Sequence, residues 1–199
     1  MNDFWNKKFS TDEYIYGTKP NEFLKDQLSK LKPAKILFVG EGEGRNAVYA
    51  AKIGWQVDAI DSSDVAMNKA LSLAVQNNVS INYQLADIQS YDFPENYYDA
   101  VGIIFLHVNE NLGERDRLYQ KLTASLKKNG TIIVELFSKN QLGKKSGGPQ
   151  DVSMLCSIDQ IKKSFSTLKH KLLKEENIYL SEGNSHVGEA SVIRYVGVK

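Results

Sequence analysis

The chain of 199 residues carries one cysteine, Cys156, and three histidines. An internal disulfide is therefore impossible, a cysteine metal cluster cannot form, and no two histidines stand at ligand spacing, so a reducing compartment fits and a structural zinc does not. Net charge is nearly absent too: 25 Lys and Arg against 24 Asp and Glu leave +1. That balance gives no support to the bulk attraction behind non-specific nucleic-acid binding. Long apolar runs are missing. Val101 to Val108 and Thr131 to Phe137 fall far short of the roughly 20 residues needed to cross a bilayer. Met1 to Lys8 lack the basic start and apolar stretch of a secretory signal, so no membrane partner and a cytoplasmic location are expected.

What is present is globular. Hydrophobic residues make up 42% and charged residues 25%, which rules out disorder, and the length suits one domain over 1–199. From Lys35 onward, short β-rich runs alternate with segments of helical period, as a parallel sheet covered by helices requires. Strands are predicted at Ile36 to Val39, Gln56 to Asp61, Ser80 to Leu85, Asp99 to His107 and Thr131 to Phe137. The middle ones are apolar almost without alternation, the mark of burial on both faces. Helices are expected over Arg45 to Ile53, over a stripe of Met67, Ala70, Leu71, Ala74 and Val75 capped by Ser62 or Ser63, and from Leu112 to Leu126. Ser157-Ile158-Asp159-Gln160 reads as a capping box. Two last runs, Asn177 to Leu180 and Glu189 to Val198, are joined too tightly for a helical crossover and must be antiparallel. The expected fold is an α/β, Rossmann-like, doubly wound sheet of seven strands, mostly parallel with the last strand antiparallel. Residues 1–33 would form an aromatic lid and a helix capped by Asn21, and residues 34–199 the sheet core.

Gly40-Glu41-Gly42-Glu43-Gly44 sits between the first strand and its helix, where backbone can approach a ligand and helix N–H groups can face it. The stretch from Gly42 to Ala47 also fits the dinucleotide pattern G-x-G-x-x-A, with Asp61 about 20 residues on to hold a ribose, which leaves an NAD(P)-linked reductase as an alternative. Against it, Glu41 and Glu43 are poor neighbours for a pyrophosphate but tolerate a cation. The antiparallel ending also departs from the all-parallel dinucleotide fold.

Together with Asp61, the run Leu85-Ala86-Asp87-Ile88 and the terminal hairpin, this loop resembles that of a class I S-adenosylmethionine (SAM) methyltransferase. The opening Phe4-Trp5-Asn6, Tyr14-Ile15-Tyr16-Gly17 and Pro20-Asn21-Glu22-Phe23-Leu24 is similar to small bacterial methyltransferases of the tellurite-resistance (TehB-like) group. The resemblance implies that Gly40, Gly42 and Gly44 pass under the methionyl part of SAM and that Asp61 accepts both ribose hydroxyls. It further implies that Ser62 lies near the adenine and that Asp87 with the Ile88 backbone binds the adenine amine. Phe38 stands where many members carry an acid, so Glu41 or backbone carbonyls would hold the ammonium, with Arg45 pairing the methionyl carboxylate. Tyr14, Tyr16 and Phe105 complete the expected cofactor set, the tyrosines as aromatic faces for the sulfonium.

Ligands of open α/β sheets bind beyond the carboxyl ends of the parallel strands. His107, Glu135 and His186 fall at that edge and are the candidate catalytic groups; each also reads as a satisfied structural residue, the commoner role for a histidine. The loop from Ser138 to Pro149 reads as a lid whose lysines would suit an anionic substrate, or as a solvated face. Phe105-Leu106-His107-Val108 replaces the Asn/Asp-Pro-Pro-Tyr element of enzymes that methylate amino groups of DNA or protein glutamine. The expected reaction is methyl transfer from SAM, leaving S-adenosylhomocysteine, to a small acceptor such as a thiol or a chalcogen oxyanion like tellurite or selenite. A SAM-binding protein without turnover is the other alternative. A monomer or a homodimer fits equally.

Overall fold

The computed structural model describes residues 2–110 and 113–199. Seven strands form one sheet in the order β3, β2, β1, β4, β5, β7, β6. They are β1 Lys35–Val39, β2 Gln56–Asp61, β3 Asn82–Leu85, β4 Tyr98–Ile104, β5 Leu126–Phe137, β6 Lys169–Glu182 and β7 His186–Val198. The first five run parallel, while β7 is antiparallel to β5 and β6 is antiparallel to β7. Helices α1 Asn2–Phe9, α2 Glu22–Leu28, α3 Arg45–Lys52, α4 Asp64–Gln76, α5 Glu114–Ser125 and α6 Ile158–Ser164 complete the chain. The Leu112 start expected for the fifth helix lies outside the described residues.

Successive residues of β1 alternate between two cores, and this explains its unbroken apolarity. Leu37 and Val39 join Val101, Ile103, Leu118, Leu122, Ile161 and Phe165 beneath α5 and α6. Ile36 and Phe38 join Phe23, Leu24, Leu28, Ala47 and Ala50 beneath α2 and α3. The Phe38 position faces this core because Gly102 opposite has no side chain; a Cβ there would lie 2.5 Å from the Phe38 ring. Asn21 caps α2 by accepting from Leu24 N at 2.9 Å, and Ser157 with Gln160 forms the expected capping box on α6.

Three expectations need correction. The stripe read for α4 is partly wrong: Val75 is 75% exposed and Leu71 38%, whereas Ala66, Ala70, Leu73 and Ala74 are buried. Close packing against the glycine loop selects small residues, since a Cβ on Gly44 would stand 2.6 Å from the Ala70 Cβ. The fourth strand ends at Ile104, before His107, because Phe105 turns the chain with φ 53°. The last two strands are longer than predicted and meet in a turn at Gly183, with φ 56°. Half-exposed β6 at the sheet edge carries little apolar pattern to reveal its length, and β7 is extended only by its first residues at the turn.

Candidate active site

The loop from Gly40 to Gly44 leaves β1 with φ of 62°, 63° and 86° at its three glycines. This left-handed path needs glycine on steric grounds, and a Cβ on Gly40 would meet Leu106 Cδ1 at 2.6 Å. Gly44 occupies the N-cap position of α3 and has no side chain to cap with. Glu41 does it instead: its Oε1 accepts from Asn46 N at 3.0 Å and Ala47 N at 2.7 Å. Burial pushes the Glu41 carboxyl up to about 7 against those bonds. Of the two holders expected for the SAM ammonium, Glu41 thus has one oxygen committed to the start of α3, and backbone carbonyls are the other.

Asp61 ends β2 with one oxygen on Gly42 N and the other on Ser63 N, both at 2.9 Å. A carboxylate has about four acceptor sites, so these bonds do not fill it. Burial raises its pKa, opposed by these backbone donors. Half-buried Ser62 follows. Ser63 caps α4 through Ala66 N, and its hydroxyl donates to Asn6 Oδ1 at 2.6 Å. Asp87 follows β3, exposed, with Oδ1 accepting from Gln89 N at 2.9 Å, and Ile88 beside it is half-buried. Asp61 and Asp87 thus also serve their own turns.

The aromatic N-terminal segment lies over this loop. Trp5 stacks on Phe9 at 5.4 Å, Phe9 meets Tyr16 edge-on at 6.5 Å, and a Cβ on Gly42 would touch Phe9 Cζ at 3.4 Å. Lys69 fastens it: the ammonium meets Glu43 at 2.5 Å and donates to the carbonyls of Phe9, Thr11 and Glu13 at 3.3, 3.0 and 2.6 Å. Glu43 also accepts from Ile15 N at 2.8 Å, and Tyr14 Oη donates to Lys69 O at 3.1 Å. Neither Lys69 nor the anchoring role of Glu43 was legible, since both partners act across folded distance. Tyr83 was missed for the same reason; its hydroxyl donates to Gly42 O at 2.6 Å.

Beyond β4 and β5 the edge is aromatic. Phe105 stacks on Phe137 at 4.6 Å, His107 stacks on Phe137 at 5.4 Å, and His186 meets Phe105 and Phe137 edge-on at 4.8 and 5.3 Å. Tyr16 closes the group 4.4 Å from His186. His186 and His107 are thus brought together, but Glu135 is not. Its side chain is fully buried on Arg194 Nε at 2.6 Å and on Asn21 Nδ2, so it holds β5, β7 and the α2 cap rather than a reacting atom. Arg45 is also buried, bonded to Glu182 at 2.9 Å and to Tyr16 O at 3.4 Å. Glu182, which the sequence did not single out, also accepts from Asn21 Nδ2 at 3.0 Å and pairs with His186 Nδ1 at 3.1 Å.

Gly147 and Gly148 lay the loop after β5 against this wall; a Cβ on the first would stand 2.5 Å from the His186 ring and on the second 2.6 Å from Phe137. The loop's lysines point elsewhere. Lys144 and Lys145 line an open cavity of about 290 Å³ beside Val187 and Glu189, and Lys144 a second of about 550 Å³ beside Glu175 and Asn177. Their expected service to an anionic substrate at this edge is not what the fold arranges.

Residues 36–130 match the methyltransferase domain family. The chain is 28% identical over 108 residues to the probable S-adenosyl-L-methionine-dependent methyltransferase TehB of Haemophilus influenzae, covering 54% of this chain and 36% of that protein. Over these residues the chain resembles SAM-dependent methyltransferases. It is also 33% identical over 114 residues to the ubiquinone biosynthesis O-methyltransferase of Rickettsia akari, covering 57% of this chain and 43% of that protein. These matches therefore span less than half the length of either curated relative. The crystal structure of TehB from Haemophilus influenzae aligns with a TM-score of 0.74 at 17% identity, over 100% of this chain and 66% of that one, which shows the shared fold. SAM is the cofactor of the methyltransferases this chain resembles, and the residues present suit it: carboxylates able to accept from hydroxyls and an amine follow the adjacent strands β2 and β3, and the glycine loop after neighbouring β1 carries acids rather than the bases a pyrophosphate would call for.

Proposed function

We propose that the protein transfers a methyl group from SAM to a small-molecule acceptor, a thiol or a chalcogen species such as tellurite or selenite, in the cytoplasm, as a monomer or homodimer without nucleic-acid or membrane partners. The observation that carries this reading is the placement of Gly40–Gly44, Asp61 and Asp87 at the carboxyl ends of β1, β2 and β3, with an aromatic wall facing them from β4 and β5. Asp61 would accept from the ribose hydroxyls, with Ser62 beside the adenine. Asp87 and the Ile88 backbone would take its amine, and Tyr14, Tyr16 and Phe105 would flank the cofactor.

When bound, SAM supplies an electrophilic methyl carbon. Displacement needs nucleophile, carbon and sulfur in line, so the chain's own work is positioning and exclusion of water. The Lys69–Glu43 fastening of the aromatic segment does both. Titration with SAM against NADH tests the reading against a reductase. Asp61→Ala is expected to weaken SAM binding by one to two orders of magnitude, on the order of 1 to 3 kcal/mol, measured by calorimetry. Unchanged affinity removes Asp61 from the site, and NADH saturation without SAM binding overturns the function.

A further inference from the structure

We propose that the acceptor is a neutral thiol rather than an oxyanion, and that His186 takes its proton, positioned by Glu182. The inference rests on the methyltransferase reading and deepens it. It comes from what the acceptor wall offers a ligand.

Both imidazoles of the wall are fixed in one tautomer. His186 Nδ1 stands 3.1 Å from a Glu182 oxygen. Burial works against the Glu182 charge, but the His186 hydrogen bond and Arg45 outweigh it and hold that carboxyl at about 2. An ionised carboxylate only accepts, so Nδ1 carries the proton and Nε2 keeps its lone pair. His107 Nδ1 stands 3.2 Å from the Met154 carbonyl, also an acceptor only, so its Nε2 likewise bears a lone pair, buried and without a hydrogen-bond partner. Burial lowers both imidazoles, His107 to about 4, and keeps them neutral at physiological pH.

The wall therefore presents acceptors and aromatic faces. A ligand with an S–H donor and an apolar body matches it, whereas an oxyanion would meet two lone pairs. Nearby cations are engaged. Arg45 is paired with Glu182, Arg115 with Glu110 at 2.8 Å, and Arg194 with Glu135 and Glu176, each at 2.6 Å. Lys8 donates to Tyr16 Oη at 2.7 Å and lies over the Trp5 and Tyr16 rings. Among protic nucleophiles a thiol, with a pKa of about 8.5, is within easier reach of a neutral imidazole than a phenol at about 10. In the step, His186 Nε2 takes the thiol proton and the sulfur pair forms the new bond to the methyl carbon. The carbon–sulfonium bond breaks with its pair on the departing sulfur, giving a thioether, S-adenosylhomocysteine and protonated His186.

The groups facing His186 are Glu182 on β6, Arg45 on α3, Lys8 on α1, Tyr16 in the aromatic segment and His107 after β4. The test uses the full chain, with SAM binding confirmed by calorimetry before any acceptor is added, so a failed cofactor reading appears as absent heat and is distinguished from a failed acceptor assignment. Formation of S-adenosylhomocysteine is then measured with benzyl mercaptan, with p-cresol as a phenol of the same size, and with selenite and tellurite. The expected result is turnover of the thiol with kcat/KM at least about tenfold above the others, falling as pH is lowered and His186 protonates. His186→Gln should lower kcat about 100-fold with SAM affinity unchanged. Glu182→Gln should move the acid limb of the profile to lower pH, because the carboxylate raises the imidazole pKa; a purely structural Glu182 would lower the melting temperature without moving that limb. Equal or better use of an oxyanion or the phenol, SAM binding with no thiol turnover, or full kcat in a folded His186→Gln protein would each overturn the proposal.

Discussion

The two halves of the carboxyl edge are built from different materials. Beyond β1, β2 and β3 the surface is backbone and carboxylate: Gly40, Gly42 and Gly44 in left-handed conformation, with Glu41, Glu43, Asp61 and Asp87 around them. Beyond β4 and β5 it is ring on ring, with Phe105, His107, Phe137 and His186 in mutual contact. A nucleoside with fixed hydroxyls and amine calls for fixed acceptors on a tight turn, whereas an acceptor wall needs shape and dryness. The first half is polar and conformationally exacting; the second is aromatic and close-packed.

The sharpest break of this contrast is Gly44→Val. The new side chain would enter at φ 86° with its Cβ 2.6 Å from Ala70. Left-handed strain and overpacking together should cost about 2 to 5 kcal/mol in denaturant unfolding, and SAM binding should go with it. A Val at position 44 that leaves both unchanged would mean the loop is not sterically held.

A smaller effect is expected from Lys69→Met, which removes the ammonium that gathers Glu43 and three backbone carbonyls. Affinity for SAM should fall about tenfold, about 1.4 kcal/mol, with faster proteolysis in residues 9–17 and little change in melting temperature. Unaltered proteolysis would place the aromatic segment on the core independently of the glycine loop.

The smallest effect concerns pH. Burial holds the folded His107 pKa at about 4 against an ordinary 6.5, so the folded state excludes a proton that the unfolded chain binds between those values. Its contribution to stability is complete above 6.5 and is lost as pH falls toward 4. Glu41, raised to about 7, acts in the opposite sense by losing stability as pH rises through its own window. The informative measurement is therefore the difference between His107→Gln and the parent: the variant's melting temperature should decline less on acidification across the His107 window. Parallel profiles would place that imidazole in water.

The same contrast explains what could be read before the fold was known. The strand runs, the antiparallel ending and the glycine loop are local patterns, carried by apolar runs and by glycine at turns that exclude other residues. The partners of Glu135 were out of reach: a lone acid in an apolar strand signals burial with a partner, and Arg194 and Asn21 are supplied by distant segments. Glu182 gave no signal at all. It stands on a polar edge strand, and only the closed hairpin brings it against His186, Arg45 and Asn21. Arg45 and Glu41 sat where a ligand was expected, yet both are satisfied within the protein, one by Glu182 and one by capping α3.

Glu43 belongs at once to the cradle between β1 and α3 and to the strap formed by residues 9–15. Cradle and strap are therefore joined through one carboxylate, so a substitution that loosens either is felt by the other.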